Sequence, residues 1–236
     1  MRRYVPVFVL GSLSFVLLLG LADLAWGIMF GLPLRLADAA FAAAVLASRQ
    51  PGVAAFMAAL THVGDAIVSS VIVLACTAVL WLSKRRASAL FLFGVTTSAA
   101  LLNSGLKDLV DRTRPPAMLA AVQLPSSASF PSGHAVIGLT LGGALAIILM
   151  LELGVVRGVV PGTMLVALGT LIGISRVYLG VHWWSDVLGG WLLALAWLSA
   201  WSAGWICVVL RPNRRRVKAG TAALKTREAM TGPPPF

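Results

Sequence analysis

Long apolar runs separated by short polar punctuation dominate the chain. Met1-Arg2-Arg3 precedes an apolar run from Tyr4 to about Leu21. Further runs extend from about Ala66 to Leu82, Ser88 to Leu106, His134 to Leu151, Val159 to Ile174 and Val187 to Leu210. Apolar runs of roughly 17–25 residues suffice for a helix to cross the hydrocarbon core of a bilayer. The pattern therefore predicts an all-α membrane protein with six transmembrane helices. Pro33 to Leu60 reads differently. Leu34, Phe41 and Val45 alternate with Arg35, Asp38, Ser48 and Arg49, and Pro51-Gly52 interrupts the stretch. This predicts one or two interfacial helices lying along the membrane surface between the first and second spans. Such a segment would either line a route for a lipid or pack against neighbouring spans. The organisation that follows is an N-terminal span (1–32), an interfacial segment (33–60), a five-span core (61–210) and a basic, disordered tail (211–236).

The basic-then-apolar start also has the order of a signal peptide, but the residues from Asp23 to Trp26 make a poor small-x-small cleavage site. A retained first span is the better reading.

Composition agrees with the bilayer. Of 236 residues, 59% are hydrophobic and 11% charged, against about 25% charged in soluble domains. The net charge of +11 comes from 19 basic and 8 acidic residues. In a soluble protein it would suggest nucleic acid, but here the cations cluster at span ends, so the positive-inside rule explains them. Arg2-Arg3, Lys84 to Arg86, Arg157 and the Arg211 to Lys218 cluster all fall on one side of a six-span arrangement. That side is cytoplasmic, with both termini on it, and the protein belongs in the inner (cytoplasmic) membrane. The polar Lys107–Pro131 loop and the Ser175–Asp186 cluster then share the outer face. Cys76 and Cys207 each lie inside an apolar run, with neither metal nor disulfide spacing. His62, in Thr61-His62-Val63-Gly64-Asp65, lacks a matched partner in the sequence and reads as structural.

Three polar stretches carry candidate chemistry. Lys107 to Pro115 holds several cations at a span end, where positive charge on the outer side wants an anionic partner. Arg114 precedes Pro115, which favours an extended, outward-reaching backbone. Phe130-Pro131-Ser132-Gly133-His134 opens the fourth span. Ser132 reads as an N-cap, Gly133 admits a ligand to the backbone, and the free N–H groups of a helix start bind anions. Ser175-Arg176 adds a guanidinium able to grip phosphate with two parallel bonds. His182 and Asp186 are four residues apart, so on a helix the carboxylate would face the imidazole and hold one tautomer. A zinc reading of that pair lacks further ligands. Lys107, Arg114, Arg176, the Gly133 amide and two imidazoles together suit phosphoryl transfer, which needs positioning and charge stabilisation above all.

These residues identify a resemblance. Lys107 with Arg114-Pro115, Pro131-Ser132-Gly133-His134, and Ser175-Arg176 with His182 and Asp186 occur in order and at the spacing of the type 2 phosphatidic acid phosphatase family. These are integral-membrane lipid phosphatases related to vanadium haloperoxidases. The resemblance covers about Thr61 to Leu210 and implies a helical bundle with its site at the outer membrane–water boundary. It implies that His182 attacks phosphorus to form a phosphohistidine, that Asp186 orients His182, and that His134 protonates the leaving oxygen. Lys107, Arg114, Ser132, Gly133 and Arg176 would hold the phosphate oxygens. No metal and no cofactor is implied. The partners implied are a lipid phosphate substrate and inorganic phosphate as product. Undecaprenyl diphosphate, phosphatidylglycerol phosphate, phosphatidic acid and lipid A phosphates are the candidate lipids of a bacterial enzyme. Selectivity is expected from Pro33–Leu60 and the Ala117–Phe130 loop. The competing expectations are a lipid phosphotransferase on the same fold, a haloperoxidase and a non-catalytic membrane carrier or scaffold.

Overall fold

A computed structural model describes residues 4–210. Among these, eight α-helices carry the fold and no strand occurs. They are α1 (Val5–Phe30), α2 (Leu32–Ser48), α3 (Pro51–Thr61), α4 (Ala66–Leu82), α5 (Arg86–Val110), α6 (Gly133–Leu153), α7 (Val155–Tyr178) and α8 (Trp184–Leu210). The predicted tail and Met1-Arg2-Arg3 lie outside the described residues.

Helices α1, α5, α6, α7 and α8 are long and apolar enough to cross a membrane. The sixth apolar helix, α4, has 17 residues, roughly 25 Å at the helical rise. Large apolar side chains such as Phe8 and Phe15 on α1, Ile67 and Leu82 on α4 and Val156 on α7 are exposed. On helices of this composition they are the lipid-facing surface, not an error of packing.

The ends of the helices depart from the sequence expectation. The first span continues to Phe30, where the Arg35 guanidinium reaches back to the carbonyls of Ile28 and Met29 and satisfies the last turn. The third span runs on through Lys107 to Val110 and ends at Asp111 in the left-handed conformation. Lys107 is therefore a helical residue in the last turn, not the first residue of a loop. Helix α7 likewise carries Ser175 and Arg176 within it. In each case polar residues at the apolar margin suggest an earlier stop, while Lys107, Ser175 and Arg176 stay helical where α5 and α7 run into the polar cluster.

Helices α6 and α7 pack most extensively, and α1 lies along α8. The α6–α7 contact depends on glycine. A Cβ on Gly142 would strike the Leu165 carbonyl, and one on Gly169 the Gly138 carbonyl. Small residues allow close backbone approach, which drives helix association in lipid where apolar burial contributes little.

The amphipathic segment forms α2 and α3, bent by 118° at their junction. Its polar-face assignment is corrected at Asp38. This residue is buried on the face of α2 that meets α8, the face that also carries the exposed Phe41 and the half-buried Val45. Phe41 stacks on Trp184, and Val45 packs on the cluster of Ala135, Val177 and Val187.

The two ends of the bundle differ in chemistry. At one end, Arg85 pairs with Glu152, which also accepts a hydrogen bond from Ser88 (2.8 Å). At the other, the C-terminal ends of α5 and α7 and the N-terminal ends of α4, α6 and α8 bring the polar stretches together.

Candidate active site

Helix α8 begins at Trp184, so His182 stands just before it and Asp186 in its first turn. The expected helical i,i+4 pair is instead a loop residue facing a helix start, and the contact still forms. His182 Nδ1 lies 3.2 Å from Asp186 Oδ2. The same oxygen accepts the Trp183 backbone N–H at 2.9 Å, so Asp186 reaches back to cap its own helix. Ser129 donates to Asp186 as well. Asp186 is an acceptor for all these groups, which places the proton of His182 on Nδ1 and leaves Nε2 unprotonated, as an acceptor.

His182 Nε2 faces Arg114, whose Nη1 lies 3.1 Å away. Arg114 is itself fixed by the carbonyls of Val181 and Ser127, both at 2.8 Å. Burial pushes the His182 imidazole down to about 3, against the pull of Asp186, with Arg114 and Arg176 adding to the depression. The ring is therefore a neutral base with its lone pair toward the cations.

The N-terminus of α6 sits against that of α8. Ser132 occupies the N-cap position by backbone, and its N–H donates to the Asp186 carbonyl at 3.0 Å. Its side chain does not cap, contrary to expectation. Ser132 Oγ is buried without a partner, as is Arg176 Nε. Unpaired buried polar atoms are rare in native structures and call for an explanation. Arg176 Nη1 donates to Thr61 Oγ1 at 2.9 Å, and Lys107 Nζ to the Ala128 carbonyl. Arg114 Nη2 also reaches the Ala128 carbonyl (3.4 Å), and the Arg176 carbonyl accepts the Val181 and His182 N–H groups, so contacts link the three cations to His182.

Several residues of the site were not expected from sequence. Arg112 is buried and bridges two carboxylates, with Nη1 2.6 Å from Asp186 Oδ1 and Nη2 2.7 Å from Asp38 Oδ2. Asp38 also accepts the Ser185 backbone N–H at 3.0 Å. The interfacial helix α2 thus holds the start of α8 through a buried ion-pair network. His62, without a matched partner in the sequence, has one in the fold. Its Nδ1 lies 2.8 Å from Asp65 Oδ2, and Asp65 Oδ1 lies 3.0 Å from His134 Nε2. A second carboxylate–imidazole group therefore exists, completed by His134 through the fold. Burial works the other way, yet the hydrogen bonds from His62 and His134 hold the Asp65 carboxyl below the ordinary carboxylate range. Among the described residues, no three His, Cys, Asp or Glu side chains group as metal ligands.

A cavity of about 520 Å³ opens beside His134 between α4, α5 and α6. It gives the site a route into the apolar part of the bundle.

The chain as a whole is similar to known proteins. Residues 87–214 match the family model described as the PAP2 superfamily. Phosphatidylglycerophosphatase B of Bacillus subtilis (strain 168) is 33% identical over 161 residues, covering 67% of this chain and 78% of that protein. An undecaprenyl-diphosphatase of Sulfolobus acidocaldarius is 41% identical over 80 residues, 32% of each chain. The crystal structure of a transmembrane PAP2-type phosphatidylglycerolphosphate phosphatase from Bacillus subtilis superposes with a TM-score of 0.76 at 30% identity, covering 84% of this chain and 98% of that one.

Proposed function

The chain belongs to the PAP2 superfamily and is a membrane lipid phosphatase, and from that premise we propose a two-step hydrolysis through a phosphohistidine on His182. The observation that carries this reading is the enclosed His182 ring, its Nδ1 3.2 Å from Asp186 Oδ2 and its Nε2 3.1 Å from Arg114 Nη1. A nucleophile held in one tautomer beside cations is what in-line attack on a phosphate requires.

In the first step Nε2 attacks phosphorus while the bond to the leaving oxygen breaks. Asp186 stabilises the positive charge that develops on His182. Lys107, Arg114, Arg176, Ser132 and the Gly133 N–H hold the phosphoryl oxygens, which gives the unpaired Ser132 Oγ and Arg176 Nε their partners. His134 donates its proton to the leaving oxygen. In the second step His134 takes a proton from water, the water oxygen attacks phosphorus, and inorganic phosphate leaves His182.

The substrate is a lipid phosphomonoester or diphosphate. Its leaving group, an alcohol from a monoester or a lipid monophosphate from a diphosphate, occupies the cavity beside His134, in line with the names of the relatives, a phosphatidylglycerophosphatase and an undecaprenyl-diphosphatase. The site lies on the outer face of the inner membrane and both termini are cytoplasmic. The segregation of Lys84, Arg85, Arg86 and Arg157 to the helix turns remote from the site supports this orientation. Phosphate release from a lipid phosphate by the purified chain, with no acceptor lipid present, tests hydrolysis against transfer. Turnover only with an acceptor would make the protein a phosphotransferase.

A further inference from the structure

Helix α5 places Asn103 one turn before Lys107 on the same face. Lys107 belongs to the phosphoryl group, so Asn103 stands beside the next part of the substrate. Its side chain lines the cavity together with Gly133 and His134. Only 8% of Asn103 is exposed, and its Oδ1 is buried without a partner. The amide nitrogen lies close to Gly133, where an added Cβ would meet it at 3.4 Å.

Ser70 and Thr97 also line the cavity, at exposed positions, and three further polar groups differ from the buried Asn103. Ser69 donates to the Asp65 carbonyl, Thr96 to Leu92 and Ser104 to Ala100, each one turn back in the chain. Their protons are spent within the protein. The Asn103 carboxamide forms no such bond among the described residues and can both accept and donate. No Lys or Arg lines the cavity. A second phosphate just beyond the scissile bond would find no fixed cation there, whereas a neutral hydroxyl would find an amide.

Resting on the phosphatase reading above, we propose that Asn103 reads the leaving group by hydrogen-bonding a hydroxyl next to the scissile ester. This makes the preferred substrate the phosphomonoester of a glycerol-type headgroup, not a polyprenyl diphosphate. An aliphatic alcohol without that hydroxyl leaves the amide unpaired and is disfavoured.

The test uses the full chain in detergent micelles with phosphatidylglycerol phosphate, dodecyl phosphate and farnesyl diphosphate. For the wild type, kcat/KM is highest with the glycerol ester. In Asn103→Leu the ratio of kcat/KM for the glycerol ester over dodecyl phosphate falls by about tenfold to hundredfold, as expected for the loss of one buried hydrogen-bond partner. Asn103→Ser, a smaller polar change, gives an intermediate ratio and serves if the leucine variant does not fold. An unchanged ratio in both variants, or a wild-type preference for farnesyl diphosphate, overturns the proposal. A His182→Ala control separates the two readings, since activity retained there refutes the phosphatase mechanism itself.

Discussion

The site contains two histidine–carboxylate pairs built in opposite ways. His182 and Asp186 are neighbours in sequence, both buried, and tied to one helix start. His134 and Asp65 are 69 residues apart. Asp65 is 41% exposed, and its second oxygen is bonded to His62, which is 71% exposed. The first pair is enclosed and suits a nucleophile that must stay neutral until it attacks. The second opens to water and suits a ring that gives and takes protons. Their supports differ too. Asp186 is held by Arg112, Ser129 and the Trp183 N–H, while among the described residues the Asp65 carboxylate is held by two imidazoles.

Disturbing the enclosed pair has the larger consequence. Asp186→Asn keeps the shape but no longer fixes the tautomer or the charge of His182. We expect kcat to fall by about four orders of magnitude, the cost of the equivalent change in a serine-protease triad, in a phosphate-release assay. A fall under tenfold would show that Asp186 does not orient the nucleophile. Arg112→Ala leaves Asp38 and Asp186 buried without their shared cation. Such breakage costs about 3–5 kcal/mol, to be read as a lowered unfolding midpoint in detergent, and an unchanged midpoint would remove Arg112 from the account.

The open pair gives a smaller, selective effect. Asp65→Asn lowers kcat on an alkyl phosphate by about tenfold, since general acid–base catalysis as a whole contributes about 10²–10⁴. The defect shrinks on p-nitrophenyl phosphate, whose leaving group needs little protonation. His62→Gln changes kcat by less than about threefold, because His62 touches Asp65 and not the reacting atoms. Equal losses on both substrates in Asp65→Asn would mean that Asp65 does not serve His134 as a proton donor.

Acidity offers the mildest probe. A ring pushed down to about 3 stays neutral through the range in which free histidine titrates. NMR of ¹³C-labelled His182 should therefore show no protonation between about pH 5 and 8, against an ordinary value near 6.5. The unfolded chain binds that proton below about 6.5 and the folded one does not. Stability therefore rises with pH across this window and is lost as pH falls toward 3. A midpoint near 6.5 would contradict the enclosure of this ring.

The same contrast explains what the sequence could disclose. His182 and Asp186 declare themselves by spacing, and Lys107, Arg114, Ser132, Gly133 and Arg176 by type and order. The apolar runs disclose the spans, because a bilayer demands length and hydropathy. Asp65, Asp38 and Arg112 were not legible as site residues. Each joins its partner only through tertiary packing, and a lone acid in an amphipathic helix looks like a solvated face until its burial is known. Only the burial of Asp38 shows that it faces inward. A short polar run such as Thr61 to Asp65 offered one signal, a histidine and an acid three residues apart at a helix break.

The most direct test of the central claim is capture of the intermediate. Wild-type protein mixed with ³²P-labelled lipid phosphate and quenched in alkali within a single turnover should carry label on the peptide containing His182. The linkage should be alkali-stable and acid-labile, and His182→Ala should carry none. Label on another residue, or equal labelling of the His182→Ala variant, would contradict it.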